Sequence, residues 1–138
     1  LGADADFVEE AAMLHDIGVV LTDAPAIHCY GEHKYICHGY LGADILRKEG
    51  LDAYALVCER HTGAGISAQQ IAEQGLPLPA DREYMPQTIE EKIVCFADKF
   101  FSKTSPQKEK SVEQAEKSLA KFGTEGVERF REWCKLFL

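Results

Sequence analysis

The chain has no apolar run approaching the roughly 20 residues needed to cross a bilayer, so no membrane span is expected. Its opening residues, Leu1 to Asp6, hold two aspartates and no basic cluster, which excludes a secretion signal. Methionine is missing at position 1, and the chain is expected to begin inside a longer natural protein. Cysteine is sparse, at positions 29, 37, 58, 95 and 134, an odd count without a single Cys-x-x-Cys pair. A thiolate zinc site is therefore not expected. The five read as reduced thiols of a cytoplasmic protein, mostly small core residues. Positive charge is also scarce. Fifteen Lys and Arg against 23 Asp and Glu leave a net −8. An acidic surface repels phosphate backbones, so a nucleic acid polymer is not an expected partner, whereas a small phosphorylated metabolite remains one. No alternating strand pattern, internal repeat or domain linker is visible.

What is present is helical periodicity. With 138 residues and 46% hydrophobic content, the chain suits one domain (1–138) able to bury a core without disulfides. Apolar positions 7, 8, 11, 12 and 14 predict a helix that runs into Leu14-His15-Asp16-Ile17 and stops near Gly18. Residues 19 to about 34 look irregular. A second helix is predicted over about 35–49, and a third over about 53–61, capped by Asp52. Ser67 to Gln70 reads as a capping box for a short helix ending at Gly75. Thr88 to Glu91 reads as another, for a strong helix through about Ser102. Ser111 opens a helix that Gly123 closes, and Thr124 caps the last one. The expected fold is all-α, a compact bundle of about six or seven helices, with Lys103 to Lys110 as a mobile loop.

Histidine and aspartate fall at telling places. His15 and Asp16 end an apolar helix, His38 lies in the first turn of the next, and His61 ends the third. Asp98 is predicted in the middle of a helix, on the side of Val94 and Phe101. An aspartate at a half-apolar position is costly unless it meets a cation or donors. The five groups come from four segments and each adjoins a core-facing stripe, so they can converge inside the bundle around a metal. Three imidazoles and two carboxylates without thiolate suit iron, manganese or zinc better than calcium, with magnesium and nickel also allowed. Taken singly, His38 could bond a carbonyl, His61 could serve a helix C-terminus and Asp98 could pair with Lys103. One shared site is more economical than three coincidences.

His15-Asp16-Ile17-Gly18 after an apolar helix, followed in order by His38, His61 and Asp98, resembles the HD superfamily of metal-dependent phosphohydrolases. The stretches His38 to Leu46, Glu59 to Ile66, Tyr84-Met85-Pro86 and Glu91 to Lys99 resemble a subgroup of small bacterial and archaeal HDIG proteins. His61-Thr62 and Ala97-Asp98 are also similar to HD-type diadenosine tetraphosphate hydrolases. The resemblance covers about residues 5–102, and the helices of about 111–138 carry no legible motif. The family pattern opens with a histidine on an earlier helix. Only 14 residues precede His15 and none is histidine, so that helix is expected to be absent from the chain, or its ligand replaced.

The resemblance implies a divalent metal, one or two ions, held by His15, Asp16, His38, His61 and Asp98, with Asp16 as the bridge between two ions. It implies hydrolysis of a phosphate ester or phosphoanhydride of a nucleotide or related small metabolite by metal-activated water. Arg60 and Lys99 are candidate catalytic groups, and a salt-bridging role is the plainer reading of Arg60. His28, His33 and Lys34 are candidate phosphate contacts, with ordinary loop histidines as the plainer alternative. A non-catalytic module that senses a nucleotide is the competing function, and a homodimer is compatible with either.

Overall fold

Seven α-helices follow one another in the computed structural model, which describes residues 2–104 and 108–138. They are α1 (Ala5–Leu14), α2 (His38–Lys48), α3 (Asp52–Glu59), α4 (Ala68–Gln74), α5 (Ile89–Asp98), α6 (Val112–Ala120) and α7 (Glu125–Phe137). The all-α expectation holds. Among the described residues no helix is long and apolar enough to cross a membrane.

Local sequence sets most helix starts. The side chains of Asp4, Ser67, Thr88 and Ser111 each accept from the backbone N–H three residues on, opening α1, α4, α5 and α6. In α5 and α6 the reciprocal bond is also made, by Glu91 and Gln114, so both capping boxes are complete. The box predicted at Ser67 is only half formed. The Gln70 side chain reaches the Phe122 carbonyl instead of turning back, and the Ser67 hydroxyl donates to Glu125. Asp52 is not the cap of α3 but its first helical residue, because Leu51 takes the cap position without a side-chain bond. Thr124 precedes α7 without donating or accepting a capping bond.

The irregular stretch after α1 has structure of its own. Residues Ile17–Leu21 form a 3-10 segment, and the strands β1 (Asp23–Ala24) and β2 (Cys29–Tyr30) pair antiparallel. Two-residue strands are too short to show an alternating pattern, which is why none was predicted. Between them Pro25–Ile27 turns the chain, and His28 closes the turn at φ 61. A third 3-10 segment, Tyr35–Cys37, after those at Ile17–Leu21 and Pro25–Ile27, leads into α2, so the predicted helix over 35–49 is α-helical only from His38.

Three apolar clusters place the site. Ala11, Val57 and Val94 lock α1, α3 and α5 together. Ala43, Leu46, Ala55 and Cys58 join α2 to α3. Cys95, Phe96, Ala115, Leu119, Val127, Phe130 and Trp133 seat α6 and α7 on α5. The C-terminal ends of α1, α3 and α5 thereby meet the N-terminal end of α2. Helix α5 ends at Asp98, four residues short of the prediction. The backbone N–H of Lys110 takes the carbonyl of Phe100 as the chain turns away. Asp98 therefore sits at a helix end rather than mid-helix.

Candidate metal centre

Breaks in helical geometry aim the five side chains at one point. His15 is the last residue of α1 in helical conformation, and Asp16 at φ −103, ψ 11 leaves the helix, so two adjacent side chains face the same side. Gly18 seats this corner against α2. A Cβ there would lie 2.1 Å from the His38 carbonyl oxygen and 2.5 Å from the Gly42 nitrogen. His38 is the first residue of α2, and His61 lies two residues beyond α3.

Each imidazole is oriented by a main-chain carbonyl three residues earlier. His15 Nδ1 lies 2.5 Å from Ala12 O, His38 Nδ1 2.6 Å from Tyr35 O, and His61 Nδ1 2.6 Å from Cys58 O. A carbonyl only accepts, so Nδ1 holds a proton in all three rings, and a ring that is otherwise neutral presents its Nε2 lone pair to the centre. His38 Nε2 and His61 Nε2 are 2.9 Å apart. They lie 3.5 and 3.3 Å from Asp16 Oδ1. His15 Nε2 is 3.1 Å from both Asp16 Oδ2 and Asp98 Oδ1. The Asp16 carboxylate thus stands between two imidazoles on one oxygen and one on the other.

These donors fit a cation. Asp16 Oδ1 is buried and has no hydrogen-bond partner among the described residues. Two facing lone pairs and an unpaired carboxylate oxygen repel each other until a positive charge sits among them. Donor atoms of His15, Asp16 and His61 all fall within 4.8 Å of one another, the spacing of ligands around a common ion.

The titration behaviour agrees. Burial, then the neighbouring His61, pushes His38 down to about 3. Burial likewise lowers His61, so both rings stay neutral. Burial also opposes charge on His15, but the Asp16 and Asp98 carboxylates outweigh it and raise that ring to about 10. In the metal-free protein a proton on His15 takes up part of the positive charge the site demands. Asp16 and Asp98 stay well below the usual carboxylate range. Burial opposes this in both, and the imidazoles of His15 and His61 overcome it for Asp16. For Asp98 the Lys99 ammonium comes first and His15 next.

Two lysines line the centre. Lys99 Nζ is 3.0 Å from Asp98 Oδ2, and Lys103 Nζ is 3.1 Å from Asp16 Oδ2. Lys99 was a sequence candidate, whereas Lys103 was seen only as a salt-bridge partner for Asp98. Five positions beyond an aspartate, on chain that leaves the helix, its reach to Asp16 had no periodic signal. Tyr35 was also missed. Its ring lies 4.4 Å from that of His38, and Lys103 Nζ lies 5.7 Å over it. The spacing Tyr35-x-x-His38 was the available clue. Other candidates lie elsewhere. Arg60 pairs with Glu91 at 2.7 Å and donates to the Glu83 carbonyl, away from the cluster. His28, His33 and Lys34 are exposed on the ribbon and its exit and do not line the cleft beside the centre. His33 is tied by its backbone to Leu21 and Asp23 instead.

A family model described as HD domain matches residues 1–102. An uncharacterized protein of Methanocaldococcus jannaschii is 43% identical over 96 residues, which cover 69% of this chain and 48% of that protein. A tRNA (cytidine(56)-2'-O)-methyltransferase of Thermoplasma volcanium is 40% identical over 101 residues, 72% of this chain and 26% of the relative. One of the same name from Picrophilus torridus is 40% identical over 100 residues, 72% of this chain and 25% of the relative. The chain thus spans between a quarter and a half of the length of these curated relatives. No solved structure matches it.

Proposed function

The chain belongs to the HD-domain family, and from that premise we propose that it is a cytoplasmic, metal-dependent phosphohydrolase acting on a phosphate ester or phosphoanhydride of a nucleotide or related small metabolite. The observation that carries the reading is the meeting of three Nε2 atoms, those of His38 and His61 with free lone pairs, around an unpartnered Asp16 oxygen. His15, Asp16, His38, His61 and Asp98 would hold one or two divalent ions, with Asp16 disposed between the imidazoles as a bridge. When bound, such an ion supplies Lewis acidity toward a phosphoryl oxygen and acidifies water at neutral pH.

The protein's own groups complete the chemistry. Lys99 and Lys103 offset the charges of Asp98 and Asp16. The charge of an added ion is then left over to attract an anion in an otherwise acidic protein. The two ammonium groups flank the cleft where the phosphoryl group would lie and stabilise charge on its oxygens. The carbonyls behind the three imidazoles keep the rings from turning, so ligand geometry is set before substrate arrives. Five free cysteines accord with a reducing compartment. Two relatives some four times longer than the shared segment are named for methyl transfer. It is attributed to those whole proteins and forms no part of this reading.

The test is metal content, followed by phosphate release from a panel of nucleotides and dinucleoside polyphosphates with iron(II) or manganese added. Wild type is expected to hold metal and release phosphate, and Asp16→Ala to lose both. Tight nucleotide binding without turnover would turn the reading toward a nucleotide sensor.

A further inference from the structure

We propose that α6 and the turn after it form the pocket for the organic part of the substrate, a nucleoside phosphate, with Phe122 as the surface on which its base stacks. The inference rests on the phosphohydrolase reading of the metal centre. A cleft of about 630 Å³ begins at His38, His61 and Asp98 and ends at Leu119 and Phe122. That volume lies in the usual range for small-molecule sites. A further cavity of about 150 Å³ shares Ile36, Leu119 and Phe122 with it.

The cleft lining is mixed: Lys99, Lys103 and Lys110 share it with the apolar side chains of Ile36, Leu119 and Phe122, and Lys110 bonds Ser118 beside Leu119. With Lys99 and Lys103 offset by Asp98 and Asp16, the charge of Lys110 and of an added ion is left to attract an anion to this cleft of a chain with net charge −8. Lys110 Nζ bonds only the Ser118 hydroxyl, at 3.3 Å, and meets no carboxylate among the described residues. It is therefore free to approach a phosphate beyond the one at the metal centre. Phe122 is 62% exposed, which by itself means little. Its main chain, however, is fixed on both sides. The N–H donates to Leu119 O at 3.0 Å, and the carbonyl accepts from Gln74 Nε2 at 3.0 Å and Gln70 Nε2 at 3.5 Å. The amide that would have completed the α4 capping box thus holds an aromatic ring at the cleft mouth. A compact sugar phosphate or inorganic phosphate would leave that ring uncovered, whereas a flat base would bury it. Helix α6 lies beyond residue 102, where the family match ends, so the selection comes from a part of the chain outside the shared domain.

The test is calorimetric titration of the manganese-loaded protein with inorganic phosphate and with the methylenephosphonate analogue of adenosine 5′-monophosphate, which cannot be cleaved at the ester. Wild type is expected to bind the analogue at least tenfold more tightly than phosphate. Phe122→Ala should weaken the analogue about tenfold while changing phosphate by less than twofold, and Phe122→Tyr should restore it. Leu136→Ala, an exposed apolar residue on α7, should leave both constants and the melting temperature unchanged. Equal affinity of wild type for the two probes, or equal loss of both in Phe122→Ala, overturns the inference alone. Failure of the loaded protein to bind phosphate overturns the metal-centre reading and this inference with it.

Discussion

Replacing Gly18 with alanine drives a methyl group into the backbone of α2. The new Cβ would stand 2.1 Å from His38 O, 2.5 Å from the Gly42 nitrogen and 2.9 Å from its Cα, against ordinary contacts that begin at 3.4 Å. All three obstacles are main chain, so no rotamer change relieves them, and the His15-Asp16 corner must back away from His38 by about 1 Å. Overpacking of this kind costs about 1–3 kcal/mol. Ligand distances in a metal site hold only to about 0.2 Å, so a displacement several times larger should weaken binding about 10- to 100-fold. Gly50→Ala provides the comparison. Gly50 has φ +75 and open space around its Cα, so alanine there adds backbone strain of about 1 kcal/mol and leaves the centre untouched. Urea denaturation of the metal-free variants and manganese or zinc titration by calorimetry read the two effects separately. Both substitutions should lower stability, and only Gly18→Ala should lower metal affinity. Wild-type affinity in Gly18→Ala would refute the argument that this contact sets the ligand geometry.

The charged groups of the centre make the metal-free protein sensitive to pH on both sides. His15, raised from 6.5 to about 10, contributes stability that is complete below pH 6.5 and is lost as pH rises toward 10. His38, lowered to about 3, contributes stability present above pH 6.5 and lost as pH falls toward 3, and Asp16 and Asp98 add to that acid loss below their ordinary 3.8. Urea midpoints should therefore peak near pH 6.5, and saturating metal should abolish the alkaline decline. A metal-free midpoint that climbs between pH 7 and 9 contradicts this. Away from the centre, Glu59 is 4% exposed, held by Arg47 at 2.9 and 3.1 Å and by Arg82 at 3.1 Å. Glu59→Ala should cost about 2–4 kcal/mol by denaturation, since it empties a buried volume and leaves Arg47 and Arg82 only the half-exposed Asp44 as a shared partner. A loss below about 0.5 kcal/mol would mean that solvent already satisfies the pair.

Features written over three or four neighbouring residues were legible in the sequence. The box at Thr88–Glu91 formed as read, because both partners lie on the same turn, and Ser111 opens its helix as expected, with a box that was not read. Features decided by distant partners were not. The Gln70 amide met Phe122, 52 positions away, and half of its capping box was lost. Helix α5 stopped early, its last N–H groups turning to carbonyls three residues back, and the Phe100 carbonyl beyond it was met by distant Lys110. In the site, the five His and Asp side chains stood out by chemical type beside apolar stripes, and they do meet. Lys103 and Tyr35 reach the cluster from irregular chain, where no period marks a face. Arg60 had the right chemistry for a phosphate but lies beside Glu91, 31 residues later in the chain, and that pairing has no sequence signature.

The account stands on a cation among these side chains, and crystals grown with manganese and measured at its absorption edge test that directly. The expected result is an anomalous peak within about 2.0–2.3 Å of Nε2 of His15, His38 or His61 and of an Asp16 oxygen. A map without a peak there, with the imidazoles bonded to one another or to water, would contradict it.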